Sequence, residues 1–186
     1  MTLIVIIKIL AIIILLLLSA LSSGSETALT AVSKQRAHRQ KDKGAKNANF
    51  ILKIKEFKDE FITGILLANN LFNILATALM TELLVSEFGG LGVSVATIFM
   101  TLMIVIFSEV TPKIFAINKP MTFALKVSKF FYFYTKLIKP IVNLINKVSN
   151  KIIKLIGLNL NADQSKIIEE EFEGAVQLQK QYSKDG

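Results

Sequence analysis

The chain has 186 residues, of which 52% are hydrophobic, and it carries a formal net charge of +8. It contains no cysteine and one histidine, His38, which excludes a disulfide framework, a thiolate metal site and a zinc site of several soft ligands. The positive charge suits nucleic acid or anionic lipid as a partner, and the positions of the basic blocks favour lipid.

The first predicted element is an apolar block from Leu3 to Leu21, in which Lys8 is the one charged residue. A helix needs roughly 20 residues to cross a hydrocarbon core. Small residues at the end of the block also fit a cleaved secretory signal peptide. However, the block has no cationic start and is longer than the usual apolar region of about 7–15 residues, which favours a membrane span.

Two further apolar blocks follow, from Phe61 to Leu84 and from Leu91 to Pro112. Their length and spacing disfavour the alternative of a buried core in a soluble protein. A segment that crosses lipid must satisfy its backbone hydrogen bonds internally, so each block is predicted to be a helix. We expect an all-α membrane protein with three transmembrane helices, at about residues 3–32, 61–85 and 91–117.

The connections between these blocks differ in charge. Residues 33–60 hold nine Lys/Arg against four acids, and residues 113–156 hold nine lysines and no acid. The loop 85–90 has only Glu87 as a charge. Because cytoplasmic loops carry the Lys/Arg excess, we predict a multi-pass plasma-membrane protein with its N-terminus outside and its C-terminus in the cytoplasm.

A basic, aromatic-rich stretch follows the third span, at residues 120–156. Its apolar residues recur every three or four positions and its later lysines fall on another face, the pattern of an amphipathic helix at a membrane surface. Pro140 is predicted to divide the stretch into two juxtamembrane helices that meet anionic headgroups on the cytoplasmic side. Single-stranded nucleic acid is a disfavoured partner. A fourth span at about 120–145 competes, but four lysines within residues 126–139 argue against it.

The last segment, residues 158–186, is polar and acidic. The run from Glu169 to Glu173 predicts a short solvated helix followed by a frayed tail. Such a run is usually only a solvated surface, although it would also complement the lysine-rich segment.

Three polar clusters interrupt the apolar blocks, one in each. Polar or ionisable residues inside a span cost free energy and are therefore candidates for function. The clusters are Ser22-Ser23-Gly24-Ser25-Glu26-Thr27, Asn69-Asn70 with Asn73, and Ser108-Glu109 before Pro112.

The spacing within the clusters predicts a cation site. Asn69 and Asn73 are four residues apart and share a helical face. Pro112 has no N–H, so the carbonyl of Ser108 is freed, and bare carbonyls at membrane depth can face ions. Hydroxyl, amide, carboxylate and carbonyl oxygens suit Mg²⁺, Ca²⁺ or Na⁺. Glu109 would supply the negative charge.

Structural explanations exist for each cluster. Serine and threonine hydroxyls in spans often bond to their own helix, and asparagines often only join helices. Glu109 could pair with Lys113, four residues later. Glu26 is a weaker candidate because it lies close to the cytoplasmic boundary.

Three short motifs carry a resemblance to a known family. They are Ser23-Gly24-Ser25-Glu26-Thr27-Ala28-Leu29, Asn69-Asn70-Leu71-Phe72-Asn73 and Ser108-Glu109-Val110-Thr111-Pro112-Lys113. Each is weak alone, but together, in this order, they resemble the transmembrane domain of the CNNM/CorC magnesium transporters (cyclin M proteins and their prokaryotic CorB/CorC relatives) over about residues 1–157.

The resemblance implies a homodimer with three transmembrane helices per subunit and a belt of juxtamembrane helices on the cytoplasmic side. It implies a dehydrated Mg²⁺ in an inward-facing cavity and export coupled to Na⁺ entry. Carried over by motif position, the Mg²⁺ ligands are Ser23, Asn69, Asn73 and Glu109, with Gly24, Ser25, Asn70 and Ser108 as second choices. Pro112 would break the third helix.

The sequence departs from the family pattern in two ways. Ala68 and Ser108 stand where the family has glycine, although both are small enough to keep the packing. The chain also ends without the cytoplasmic CBS-domain pair that binds nucleotide in family members, so no nucleotide regulation is inferred. A membrane-anchored structural or regulatory protein without transport is the alternative function. No nucleophile–base pair, metal-hydrolase motif or phosphate loop is visible, so an enzyme is not expected.

Overall fold

The computed structural model describes residues 2–156, and these residues form helices joined by short turns. The sequence-based expectations for residues 158–186, including the acidic run, lie outside the described part. The elements are α1 (Thr2–Ala31), α2 (Lys34–Asp42), α3 (Ala48–Glu56), α4 (Lys58–Phe88), α5 (Leu91–Met103), a π-helical segment (Ile104–Val110), α6 (Thr111–Asn118) and α7 (Pro120–Leu155).

Three helices are long and apolar enough to cross a membrane, namely Leu3–Ala31, Lys58–Phe88 and Leu91–Asn118. The last combines α5, the π-helical segment and α6, and is called the third span below. Large apolar side chains on all three remain exposed, which is the surface that lipid covers. The prediction of an all-α membrane protein with three transmembrane helices is confirmed.

The first span packs against both others. Its buried residues include Ile12 at one end and Ala28 and Leu29 at the other, while Leu3 and Leu17 are exposed. A two-sided division of this kind follows from helical periodicity, because one face meets protein and the opposite face meets lipid. The packing of α1 into the bundle favours a retained span over a cleaved signal peptide.

The second span runs antiparallel to the first. Near one end the Nζ atom of Lys8 lies 2.7 Å from a carboxylate oxygen of Glu82. At that end the chain turns sharply into the third span, and a Cβ atom on Gly92 would lie only 2.6 Å from the backbone nitrogen of Val85 and would collide with the backbone oxygen of Leu84. Only glycine lacks a Cβ atom, so Gly92 allows α4 and α5 to approach each other this closely.

The basic connection between the first two spans folds as two short helices. The Ser33 hydroxyl accepts a hydrogen bond from the Arg36 N–H at 3.3 Å and so caps α2. Asn47 adopts a left-handed conformation with φ 71° before α3, which asparagine tolerates better than most residues. Burial and the nearby Lys58 and Lys34 lower the pKa of Lys55.

The third span differs from the expectation that Pro112 breaks it. The helix is continuous from Leu91 to Asn118, and the residues before the proline widen into the π-helical segment. Pro112 lies in the first turn of α6, where a missing N–H is tolerated because the helix geometry changes just before it. The physical reason for the correction is that a π-bulge absorbs the proline without interrupting the span.

Helix α7 also differs from its prediction. It is one helix from Pro120 to Leu155 with Pro140 inside it, and does not divide there. Packing on both sides of the proline explains this. Phe131 meets Phe61 edge-on at 6.4 Å between ring centroids, and Val142 is fully buried, so tertiary contacts outweigh the lost backbone hydrogen bond.

The described chain separates into two compact units. The first comprises residues 1–143, and the second begins at Leu144. Within the second unit, the structure describes the end of α7, where apolar Val148 and Ile152 are exposed. These residues continue the apolar face that the sequence predicts for a helix at a membrane surface.

Candidate cation site

The candidate site begins with a hydroxyl on α1 that meets two amides on α4. The Ser19 Oγ atom is fully buried. It lies 2.5 Å from the Oδ1 atom of Asn69 and 2.7 Å from the Oδ1 atom of Asn73. The two asparagines are four residues apart on one face of α4, as the spacing predicts, so the structure brings both together at a single point on α1.

These three oxygen atoms have one hydroxyl proton between them. A serine hydroxyl donates a single hydrogen bond, and an amide oxygen only accepts. Ser19 can therefore satisfy one of the two short oxygen–oxygen contacts with Asn69 and Asn73 at a time. Rotation of one amide would put an N–H₂ group on Ser19, and a cation among the oxygens would satisfy all three. Both arrangements are chemically sound.

Ser23 lies one helical turn further along the same face of α1. Its side chain is fully buried and its Oγ atom has no hydrogen-bond partner in the described part of the chain. Other hydroxyls on this helix behave differently, since Ser22 bonds to the carbonyl of Leu18 at 2.9 Å. A desolvated hydroxyl without a partner is costly, so a ligand at Ser23 would satisfy a group that the described chain leaves unsatisfied.

The third span contributes Ser108 from its π-helical segment. The Ser108 hydroxyl is buried and donates to the Leu16 carbonyl of α1 at 3.1 Å. Leu16 and Ser19 are three residues apart, so this contact lies within a turn of the two asparagines. The hydroxyl gives its proton to this bond and keeps oxygen lone pairs that can still face a cation.

Glu109 follows Ser108 in the π-helical segment. Its side chain is partly buried, and it makes no ion pair with any residue in 2–156. The Glu109–Lys113 ion pair, which was the structural alternative to a cation ligand, is thus not formed, and Lys113 is exposed. Glu109 is an unpaired carboxylate in the middle of a candidate span, a position that is costly unless a cation or proton compensates it.

The second-choice ligands are less well placed. Ser25 is buried, but its hydroxyl bonds to the Leu21 carbonyl at 2.6 Å. Asn70 is exposed and does not bond to Ser19. A Cβ atom on Gly24 would lie 2.8 Å from the Phe123 ring and 3.3 Å from the Pro112 carbonyl oxygen, so this glycine permits close packing of α1.

Ser19 is the residue that the sequence analysis missed as a candidate. It lies inside the apolar part of α1, four residues before Ser23. That spacing places both hydroxyls on one helical face, and the same rule that pairs Asn69 with Asn73 would have found it.

The ligand inventory is limited to oxygen. Within residues 2–156, no three His, Cys, Asp or Glu side chains lie close enough together to hold a metal. A cation here would be bound by hydroxyl, amide and carbonyl oxygens with at most one nearby carboxylate. Hard cations accept such a set.

An open groove extends along α4 away from the asparagines. It has a volume of about 730 Å³ and begins at Asn73. Its lining continues through Thr77 and Thr81 to Glu82, the residue that pairs with Lys8. Asn73, Thr77 and Thr81 lie on one helical face because they are four residues apart, and Glu82 directly follows Thr81. The groove thus runs from Asn73 toward the end of the second span that carries Glu82.

Comparisons with known proteins agree with this architecture. Residues 10–184 match the family described as the cyclin M transmembrane N-terminal domain. A UPF0053 protein of Haemophilus influenzae is 33% identical over 152 residues, covering 82% of this chain and 36% of that protein. The UPF0053 inner membrane protein YfjD of Escherichia coli is 31% identical over 134 residues, covering 72% of this chain and 31% of that protein.

A plant protein is similar as well. A putative DUF21 domain-containing protein of Arabidopsis thaliana, described as chloroplastic, is 31% identical over 134 residues, or 72% of this chain and 20% of that protein. The chain spans about a third of the length of the two bacterial relatives. The family match covers most of the chain, including the second and third spans, most of the first span and all three polar motifs, and shows that this multi-pass membrane protein belongs to the cyclin M (CNNM) transmembrane-domain family.

Proposed function

We propose that this chain transports Mg²⁺ across the membrane through an oxygen-ligand site between its three spans. The observation that carries the proposal is the meeting of Ser19 with the Oδ1 atoms of Asn69 and Asn73 at 2.5 and 2.7 Å, with one proton among three oxygens. A cation would compensate the close approach of these oxygens. The unpartnered hydroxyl of Ser23 and the unpaired Glu109 add two further ligand candidates.

The chemistry of Mg²⁺ suits this donor set. Mg²⁺ prefers oxygen ligands in octahedral geometry at about 2.0–2.1 Å and gives up its water reluctantly. Protein oxygens must therefore replace water in a rigid arrangement that carries negative charge. The helix packing around Ser19 supplies rigidity, and Glu109 supplies the charge. The cargo ion is the substrate here, and Na⁺ is the proposed coupling ion for export.

The proposal includes an assembly and an orientation. By resemblance to the family, the transporting unit would be a homodimer. The Lys/Arg excess in residues 33–60 and 113–156 supports a cytoplasmic location for both segments, with the N-terminus outside. The exposed lysines of α7 would meet anionic lipid headgroups, and no nucleic acid is involved.

A non-transporting structural or regulatory membrane protein is the second candidate. The observation that favours it is the same Ser19–Asn73 contact, because a polar bond between two spans also joins helices without any ion. We expect no enzymatic activity under either candidate function. The two candidates differ in their response to Mg²⁺, since an ion that binds only the folded state must stabilise it.

The test is Mg²⁺ flux into or out of proteoliposomes that contain the full chain. Glu109→Gln removes one charge with little change of shape, and Asn73→Ala removes one amide oxygen. We expect each to reduce flux by about tenfold or more, which corresponds to roughly 1.4 kcal/mol or more. Millimolar Mg²⁺ should raise the thermal stability of the detergent-solubilised wild type.

The matched controls are Glu87→Gln in the last turn of α4 and Asn118→Ala, whose amide bonds to the Ile114 carbonyl of its own helix. Both should transport like the wild type. If Glu109→Gln and Asn73→Ala transported Mg²⁺ at the wild-type rate, the proposal would be abandoned. Wild-type protein that Mg²⁺ does not stabilise would support the structural candidate.

A further inference from the structure

A second buried hydroxyl without a partner lies far along the chain from the candidate cation site. Thr135, on α7, is 2% exposed, and its Oγ1 atom has no hydrogen-bond partner in the described part of the chain. Threonines on other helices bond back to their own backbone, as Thr77 does to the Asn73 carbonyl at 2.8 Å. The Thr135 hydroxyl could bond in the same way to a carbonyl one turn earlier in α7, but it does not.

Thr135 lines a small cavity between α7 and the start of α4. The cavity has a volume of about 180 Å³ and is called the α4–α7 cavity below. Its lining residues are Phe57, Glu60, Tyr132, Thr135, Lys136 and Lys139. Thr135 thus forms part of the wall of a space large enough for a polar group, and its buried Oγ1 atom has unused hydrogen-bonding capacity beside that space.

The charges around the α4–α7 cavity favour an anion. Lys136 and Lys139 contribute two positive charges, and Glu60 lies 3.7 Å from the Lys139 Nζ atom and offsets one of them. Phe57 precedes the first turn of α4 and has no side-chain capping bond. The first N–H groups of a helix lack intrahelical acceptors and carry partial positive charge. A hydroxyl donor, two ammonium groups and a helix start are the chemistry that recognises phosphate.

The location of the cavity favours a lipid as the source of the phosphate. The second candidate span begins at Lys58, immediately after Phe57. The opposite wall is the amphipathic helix α7, with Tyr132 beside Phe57 at 5.8 Å between ring centroids. Aromatic residues of this kind are enriched where a span meets the headgroup layer. A cavity beside the start of a span is therefore well positioned for the headgroup layer, in which lipid phosphates lie.

We propose that the α4–α7 cavity binds the phosphate group of a membrane phospholipid, with Thr135 donating a hydrogen bond and Lys136 and Lys139 pairing with the charge. This is a defined site for one headgroup, beyond the general attraction of lysines to an anionic membrane surface. It is independent of the candidate cation site, because the two share no residue. An occupied cavity would anchor α7 to the first turn of the second span.

The test uses the purified full chain in detergent, stripped of lipid and titrated with short-chain phosphatidylglycerol. Thermal unfolding and native mass spectrometry measure binding. We expect saturable stabilisation of the wild type and about tenfold weaker binding by Thr135→Val, the loss expected for one hydrogen bond to a charged group. Without lipid, Thr135→Val should be at least as stable as the wild type, because the variant no longer buries an unsatisfied hydroxyl.

Three controls make the outcome decisive. Lys136→Gln should also weaken binding and covers the case in which Thr135→Val does not fold. Lys151→Gln, elsewhere on α7, and Thr101→Val, whose hydroxyl bonds to the Thr97 carbonyl, should bind like the wild type. Mg²⁺ binding should be the same in all these variants, which separates this proposal from the transport proposal.

Two results would overturn the inference. If Thr135→Val and Lys136→Gln both bound phosphatidylglycerol as tightly as the wild type, the cavity would hold only water. Inorganic phosphate is the second arm of the titration. If it stabilised the wild type as well as the lipid did at equal concentration, and Thr135→Val abolished both effects, the occupant would be a free phosphate and not a lipid.

Discussion

At the scale of single residues, hydroxyl groups divide into two classes. Many helical serines and threonines in the described chain bond to a carbonyl one turn earlier, as Ser22 and Ser25 do. Ser19, Ser23 and Thr135 do not. Sequence spacing could predict that Asn69 and Asn73 share a face. It could not separate Ser23 from Ser25, because both are buried on α1 and differ only in whether the hydroxyl bonds to a backbone carbonyl.

The Ser19 hydroxyl gives a prediction at this scale. Ser19→Ala leaves two amide oxygens on α4 without their shared partner on α1. If the three oxygens bind a cation, Mg²⁺ affinity should fall by about tenfold, the equivalent of roughly 1.4 kcal/mol. Titration calorimetry measures this fall in affinity. Thermal unfolding without Mg²⁺ measures how much stability the protein loses when the Ser19 contacts between α1 and α4 are removed.

Ser22→Ala is the matched control, since Ser22 is equally buried but bonds only to its own helix. It should leave Mg²⁺ affinity unchanged. A Ser19→Ala protein that lost thermal stability while binding Mg²⁺ like the wild type would assign the Ser19 contacts to helix joining alone.

At the scale of helices, the three spans were predictable and the effects of proline were not. Length and hydropathy were sufficient for the spans, because a hydrocarbon core dictates about 20 apolar residues per helix. Pro112 and Pro140 both suggested interruptions by local rules. At Pro112 the helix continues through a π-helical segment, and at Pro140 it continues because residues around Val142 are packed. Both outcomes depend on tertiary neighbours, which a local sequence pattern does not contain.

The turn between the second and third spans gives a prediction at this scale. Gly92→Ala would place a Cβ atom 2.6 Å from the backbone nitrogen of Val85 and against the backbone oxygen of Leu84. Backbone atoms cannot rotate away as a side chain would, so α4 and α5 must separate. We expect a loss of about 1–3 kcal/mol, typical of overpacking, detected as a lower unfolding temperature.

Gly90→Ala is the control for this substitution, because a Cβ atom at residue 90 would have nothing within 4 Å and the φ of −58° suits alanine. It should unfold at or slightly above the wild-type temperature. Equal unfolding temperatures for the Gly92→Ala and Gly90→Ala proteins would show that α4 and α5 do not pack as closely as described.

At the scale of the whole molecule, the proposed orientation rests on the distribution of charge. Residues 85–90 hold no Lys or Arg, whereas residues 33–60 hold nine. The chain contains no cysteine, so a single introduced cysteine is a unique label. Glu87→Cys should react with a membrane-impermeant maleimide on intact cells, and Lys43→Cys only after permeabilisation. The reverse pattern would contradict the proposed orientation.

The central claim is that the polar residues between the three spans bind Mg²⁺. Isothermal titration of the purified chain with Mg²⁺, beside Glu109→Ala, tests this claim most directly. We predict saturable binding by the wild type and a loss of binding in Glu109→Ala, with both proteins unfolding at similar temperatures in the absence of Mg²⁺. Equal binding by the two proteins, or no binding by the wild type, would contradict it.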